Sequence, residues 1–465
     1  MSEPVTPTPE AIPPYPDTER TSPAVGAGSA RKAMFIVFLV VFIDLLGFGI
    51  VLPLLPLYAK DMLEPLLPGP ENRPLRGPVL GVILSVFSLM QFIFAPMWGR
   101  VSDRNGRRPI LLLGLAGSVM FYALFGIASE VGQSAPAAGL ALLIAARIGA
   151  GIAGATISTA QAVIADSTTP ERRSRGMALI GAAFGIGFTF GPILGFASLF
   201  VPWKGAPGFA ASLFSLVALV LALRLLPETL PPGGVARERH WLDLHGLRVV
   251  IGKPAVGILV LTFFLATLAF GGLESTLALG NVLLLNPEAA TNPAAAEDAA
   301  ISPAVMQKSL LVFAYVGFVL MLTQGLLYRR LVHRVGEVAF MRVGIVLMGL
   351  GLFGAVAMLL RWQSVGTTWD VLLGALLVMT VAVIGFACLT PSVQALISRR
   401  TDAGTQGEIL GVNQSASALA RILGPMVGVS LFFATPSHVL PYLAGGALLV
   451  VVFVLALTPP VGRGG

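Results

Sequence analysis

Four ionisable side chains, Asp44, Arg147, Glu274 and Arg421, stand inside long apolar runs. A charge in the middle of a bilayer costs about 2.5–3.5 kcal/mol on insertion scales, so each requires a partner or a water-filled cavity. Asp44 is the only carboxylate between Met34 and Ala59. A carboxylate so placed can bind a proton in one setting and release it in another, because burial and a nearby cation act on it in opposite directions. Arg147 keeps its proton under all ordinary conditions and suits a fixed cation that tunes Asp44. A purely structural ion pair is the alternative. Glu274 is a second site for a proton or a cation if its span places it deep, and an ordinary carboxylate if it lies near the outer surface. Arg421 needs a counter-charge, and Glu274 is one candidate. Gln91 and Gln324 offer hydrogen bonds either to a molecule in a cavity or between helices.

The densest charge is Gly99–Arg108, with five charges in ten residues of a chain that is 11% charged. Val79–Trp98 and Ile110–Ala128 flank it, each long enough to cross a bilayer core. The stretch is therefore a short hairpin, and its arginines place it on the cytoplasmic side. Gly106 suits a positive φ in the turn, and Pro109 suits the first turn of the next helix. Gly99 permits close approach of a neighbouring helix. Asp103 can reach both a helix N-terminus and a guanidinium. Arg107 and Arg108 are in part an ordinary solvated, positive-inside loop.

These residues must be held by a membrane bundle. Of the 465 residues, 55% are hydrophobic, and the charge is about half that of a soluble protein. The expected fold is all-α, with twelve transmembrane helices near 34–59, 78–100, 109–129, 137–165, 175–200, 207–226, 254–282, 304–328, 336–360, 370–397, 407–434 and 437–458. Most of the 30 Lys and Arg lie in the tails and in alternate loops, which puts both termini in the cytoplasm. The net charge of +7 belongs to one membrane face, not to a nucleic-acid surface. Residues 1–33, rich in Pro, Ser, Thr and Ala, read as a disordered cytoplasmic tail. Residues 34–226 and 254–458 form two six-helix halves, joined by a cytoplasmic linker at 227–253 and followed by a tail at 459–465. The first apolar run reads as a retained helix, not a signal peptide.

The halves repeat. Gly191-Pro192-Ile-Leu-Gly195 recurs as Gly424-Pro425-Met-Val-Gly428, and the hairpin from Gly99 to Gly106 recurs from Gly325 to Gly336. Paired six-helix halves are a transporter architecture with the path between them. Gly181, Gly185, Gly187, Gly191 and Gly195 form a small-residue stripe for close helix packing, and Pro192 is expected to kink its helix.

Gly99-x-x-x-Asp103-Arg104-x-Gly106-Arg107-Arg108 resembles the signature between the second and third helices of the major facilitator superfamily. The closest resemblance is to its twelve-helix drug/proton antiporters, especially the tetracycline/proton antiporters. Asp44-Leu-Leu-Gly47-Phe-Gly49-Ile-Val-Leu-Pro53, Leu89-Met90-Gln91-Phe92 with Ala95-Pro96, and Arg147–Thr156 with Ala165-Asp166 resemble their first, second and fourth helices. The resemblance implies proton-coupled efflux of a small amphipathic or drug-like molecule by alternating access. Asp44, Arg147 and Glu274 would couple the proton. Gly99, Asp103, Arg104, Gly106, Arg107 and Arg108 would form an inner gate, with Asp103 holding the halves together when the outer side is open. Gly187, Gly191, Pro192 and Gly195, with Gly424 and Pro425, would form the helix-bend motif of exporters. Gln91, Gln324 and Arg421 are cavity candidates. Some departures argue against tetracycline as the substrate. Phe121-Tyr122 stands where those antiporters carry an aspartate before a tyrosine, and the eighth span lacks their histidine. Arg329 stands where the second hairpin calls for an aspartate, so that half of the gate reads as degenerate.

Other chemistry is not indicated. There is no phosphate-binding Gly-x-x-x-x-Gly-Lys-Ser/Thr loop, and none of His240, His245, His333 and His438 lies mid-membrane. Cys388 is the single cysteine, which rules out an intrachain disulfide. No metal site, cofactor or enzymatic activity is expected. The expected partners are a small-molecule substrate, protons and the lipid bilayer of a plasma or inner membrane, with a monomeric chain and no nucleic acid. A proton symporter or facilitator of a small metabolite, and a non-transporting receptor or scaffold on the same fold, are the alternatives.

Overall fold

Apolar runs of this length bury their backbone polar groups in helices, because the hydrocarbon phase offers no other partner. The computed structural model describes residues 27–167, 170–230, 250, 252–286, 301–401 and 406–457. Most of the expected linker, the C-terminal tail and most of the N-terminal tail lie outside the described residues. The first helix begins at Ala27, inside the stretch expected as a tail.

Ten segments are long and apolar enough to cross a membrane, and Gly185–Ser198 and Leu440–Ala456 are shorter apolar helices, among the described residues. Together they give the twelve spans. The first comprises α1 (Ala27–Val51) and α2 (Leu55–Leu63). The second and third are α3 (Arg73–Asn105) and α4 (Arg107–Ser134). The fourth comprises α5 (Pro136–Ala153) and α6 (Ile157–Asp166). The fifth and sixth are α7 (Pro170–Ser198) and α8 (Ala206–Leu225). In the second half these are matched by α9 (Pro254–Leu285), then α10 (Pro303–Leu322) with α11 (Arg329–Val335). The last four are α12 (Glu337–Val365), α13 (Trp369–Arg399), α14 (Gln406–Ala434) and α15 (Leu440–Ala456).

Three spans are interrupted. The first breaks between Val51 and Leu55, where Pro53 lacks an N–H and its ring crowds the preceding turn. The fourth tightens into a 3-10 turn at Gly154–Thr156. The eighth widens into a π segment at Thr323–Tyr328, which contains Gln324 and Gly325. The helices run on through Pro192 and Pro425.

In the first half, the first span packs on the fifth and sixth, and the third packs on the fourth and sixth. In the second half the seventh packs on the eleventh and twelfth, and the ninth on the tenth and twelfth. Glycines set these crossings. A Cβ on Gly191 would lie 2.6 Å from Gly49 Cα, and one on Gly428 would lie 2.6 Å from Gly272 Cα. The halves meet through the second span against the eleventh and the fifth against the eighth. Two further glycines permit this. A Cβ on Gly81 would sit 2.9 Å from Met426 Cα, and one on Gly317 would sit 2.6 Å from the Phe188 carbonyl. Ser85 Oγ also donates across the interface to the Ile422 carbonyl at 2.6 Å.

These contacts lie toward the end of the bundle opposite the arginine hairpins. There a single apolar core joins Leu54, Leu57 and Leu80 of one half to Leu279, Leu310 and Phe432 of the other. Toward the arginine hairpins the first half keeps a core of its own, as does the second half through most of its depth. Gly185 and Gly325 have nothing within 4 Å of a Cβ position. The bundle is sealed at one end and parted at the end that carries the basic hairpins.

Candidate functional site

Asp44 projects from α1 into the first half, and its Oδ1 is buried without a hydrogen-bond partner. Arg147 on α5 is 2% exposed. Its guanidinium lies 4.4 Å from the centroid of the Phe87 ring, a cation–π contact that partly replaces lost hydration. Its Nε has no hydrogen-bond partner. Asp44 and Arg147 do not form the direct ion pair considered from the sequence, since no carboxylate–guanidinium contact joins them. Tyr122 of α4 is buried and feels both charges. Its ring packs on Gly47, where a Cβ would lie 2.9 Å from Tyr122 Cε2. Sequence reasoning noted Phe121-Tyr122 only as a departure. The missed signal was a phenol on the helix that faces the two charges.

Glu274 on α9 is half-buried and Arg421 on α14 is exposed. They interact through their fields without forming an ion pair, and Arg421 Nη1 donates instead to Ser417 Oγ at 3.0 Å. Asn413, Ser417 and Arg421 follow at four-residue steps and so share one face of α14. Asn413 Oδ1 is buried and unpartnered. An arginine facing hydrocarbon at this depth is untenable, so Arg421 faces the space between the halves. The i, i+4 spacing of this polar stripe was legible in the sequence and was missed. Gln91 Nε2 donates to the Gly154 carbonyl at 3.1 Å, tying the second span to the break in the fourth. Gln324 sits half-exposed in the π segment.

At the basic end Gly106 has φ 105°, as the tight turn demands. Arg107 is 8% exposed, so it is no solvated loop residue. It pairs with Asp103, with Asp166 Oδ2 at 3.2 Å and with Ser102 Oγ at 2.8 Å. Asp103 therefore reaches a guanidinium, as expected, but the N-terminus of α4 belongs to another residue. Glu228 accepts from the Arg107 N–H at 2.9 Å and from the Arg108 N–H at 3.1 Å. A Cβ on Gly106 would lie 2.5 Å from Glu228 Oε2, so glycine serves both the turn and this approach. Arg104 is exposed. Gly99 meets only Ser158 Oγ at 3.8 Å, so close helix approach at Gly99 is not realised in this state. Asp103, Arg107, Asp166 and Glu228 all lie in the first half or just past it.

The second copy is less degenerate than expected. Gly336 repeats the positive φ at 85°, and Glu337 at the start of α12 pairs with Arg399 Nη2 at 2.8 Å. In the first half an arginine at the start of the third span meets an aspartate at the end of the fourth. In the second half a glutamate meets an arginine, so the charges are exchanged.

Burial raises the Glu228 carboxyl pKa, but hydrogen bonds from the Leu230, Arg107, Arg108 and Thr229 N–H groups outweigh it and hold the group below its usual 4.5. A carboxylate at a helix N-terminus is favoured in this way. The folded pKa is depressed, so the stabilisation is full above pH 4.5 and is lost as pH falls through the folded value. Glu228→Gln should lower thermal stability at pH 7, by no more than about 1 kcal/mol for so exposed a group. Melting curves of the two proteins should converge as the pH is brought well below 4.5. A gap that persists in acid would assign the effect to packing instead.

Twelve spans in two related halves, with paired glycine crossings and matching hairpins, accord with a match to the Major Facilitator Superfamily model over residues 37–425. The chain belongs to the major facilitator superfamily. It is an integral membrane transporter, not an enzyme. Within the superfamily it is 32% identical to the tetracycline resistance protein, class E, of Escherichia coli over 409 residues, covering 87% of this chain and 89% of that one. It is 30% identical over 446 residues to major facilitator superfamily domain-containing protein 10 of Homo sapiens, covering 87% and 88%. The crystal structure of the human organic anion transporter MFSD10 (TETRAN) superposes with a TM-score of 0.61 at 30% identity, covering 92% of this chain and 99% of that one. The D-xylose-proton symporter superposes with a TM-score of 0.69 at 16% identity, over 93% and 98% of the two chains. That likeness concerns the fold alone.

Proposed function

We propose that this transporter exports a small amphipathic or drug-like molecule in exchange for protons, by alternating access. The observation that carries the proposal is Asp44, with a buried unpartnered oxygen and a neighbouring phenol that also feels the fixed cation Arg147. Dry, unpaired carboxylate oxygens are costly, and a proton is the smallest ligand that relieves such a site. Arg147 stays charged, and Tyr122 feels both it and Asp44, so the phenol links the two charges without a direct ion pair. The similarity to tetracycline resistance proteins supports the same reading.

By the positive-inside rule the parted end is cytoplasmic, so this is an inward-open state. In the outward-open state the seal at Gly81 and Gly317 opens and the basic ends close. The Asp103–Arg107–Asp166 cluster then lies at the closing surface and serves as the inner gate. Asp103→Asn should shift the balance of inside and outside accessibility, read by labelling single cysteines at the two ends. Unchanged labelling would remove the gate role.

The test of coupling is flux in proteoliposomes with an imposed pH gradient. Substrate moving against its own gradient, opposite to the proton, supports antiport. Movement with the proton supports a symporter. No flux with any compound of a drug panel would favour the scaffold reading. A second reading of the cargo rests on Arg421, an exposed cation facing the space between the halves, and on the likeness to a human organic anion transporter. In that reading the substrate carries a carboxylate or sulfonate that Arg421 receives, and Arg421→Gln selectively loses anionic compounds.

A further inference from the structure

A cavity of about 220 Å³ lies inside the second half, away from the space between the halves. The seventh, ninth, tenth and twelfth spans enclose it, and Val312 contributes from the eighth. Its walls are almost wholly aliphatic, with Leu277, Leu284, Leu359 and Met379 among them. Of its few polar side chains, Asn281 donates to Ser309 Oγ at 3.0 Å. Apolar cavities of this size stay dry and take apolar guests.

The position of its mouth selects the guest. Trp369 and Leu373 line the cavity, yet they are 80% and 63% exposed. They stand at the sealed end of the bundle, where no space remains between the halves, so they face outward to the bilayer. Trp369 begins α13, the place where an indole favours the membrane interface, and Leu373 lies one turn deeper. Below the mouth Tyr315 and Thr380 hydrogen-bond at 2.6 Å and tie the eighth span to the tenth. On top, Thr367 Oγ1 donates to the Leu284 carbonyl at 3.0 Å. The opening is thereby confined to the acyl region of one leaflet, between the ends of the eighth and tenth spans.

We propose that this cavity is a binding site for a lipid acyl chain, entered laterally from the leaflet opposite the arginine hairpins. Trp362 reports on it. Its side chain is buried, at 2% exposure, so annular lipid does not touch it. It follows the wall residue Leu359 by one turn, and its Nε1 donates to Thr367 Oγ1 at 3.2 Å, near the wall residue Leu284.

The experiment uses the full chain with Trp98, Trp203, Trp241 and Trp369 replaced by Phe, reconstituted in phosphatidylcholine with or without bromine on the acyl chains. Trp362 emission should fall in the brominated bilayer. Ala355→Phe fills the cavity from the ninth span and Gly280→Leu fills it from the seventh, and either should abolish that loss. The two come from different helices, so a folding defect in one leaves the other informative. Emission unaffected by brominated lipid would overturn the proposal, as would equal quenching in both filled variants. Quenching by a brominated alkylamine but not by brominated lipid would assign the cavity to cargo and overturn it as well. None of these outcomes depends on proton coupling.

Discussion

Asp44→Asn reduces proton-driven transport to the level of empty vesicles while leaving the protein folded and able to bind its cargo. Asn keeps the shape of the side chain and removes only the titrating group. The buried Oδ1 has no hydrogen-bond partner to lose, and the oxygen that Asn retains can still accept from Ser118, the hydrogen-bond partner of the carboxylate. Removing a charge from a poorly solvated position is neutral or favourable for stability, and the melting temperature should hold or rise. Substrate binding, followed by equilibrium titration in detergent, should lose its pH dependence without losing affinity. Tyr122→Phe should act differently, because it removes only the hydroxyl of the side chain that feels both Asp44 and Arg147. It should shift the pH at which coupled transport is half-maximal and leave transport itself in place. Normal gradient-driven flux in Asp44→Asn would remove Asp44 as the proton carrier and leave it a structural role.

Gly191→Val prevents the first and fifth spans from packing, and should be among the most destabilising single changes in the chain. A Cβ there would lie 2.6 Å from both Cα and C of Gly49. Backbone atoms, not a flexible side chain, occupy the space, so the helices must separate. Overpacking of this kind costs about 1–3 kcal/mol or more, and the lost contact between helix backbones adds to it. The control is in the same helix. Gly185→Ala meets nothing within 4 Å of the new Cβ and gains up to about 1 kcal/mol of helix propensity. Melting temperatures in detergent should fall for the first variant and hold or rise for the second. Equal effects would show that the glycine stripe is not a close crossing in the folded protein.

This glycine stripe also shows how function and packing overlap. Gly187 and Gly191 serve contacts within the first half, against Leu45 and Gly49. Gly195 approaches Leu310 across the interface, so one helix face carries both the internal crossing and the seal. In the proposed alternating-access cycle the seal contact would slide while the internal crossing stays fixed.

The amino-acid sequence by itself determined the membrane class, the twelve spans, the duplication and the family, because these rest on local quantities. Apolar run length, the loop bias of Lys and Arg, and short motifs such as Asp103-Arg104-x-Gly106-Arg107-Arg108 need no partner to be recognised. It also singled out Asp44, Arg147, Glu274 and Arg421, since a charge in an apolar run stands out against hydrocarbon. Only the tertiary structure decided which groups meet. It left Asp44 and Arg147 without a direct ion pair and set Tyr122 within the field of both, gave the N-terminus of α4 to Glu228 instead of Asp103, and paired Glu337 with Arg399 where the second hairpin read as degenerate. It also showed that Gly81 and Gly317, which carry no chemistry, let the two halves close at one end. The physical reason is that such contacts join helices distant in the chain, where orientation and depth decide, and a periodicity along one helix does not reveal which neighbour its face meets.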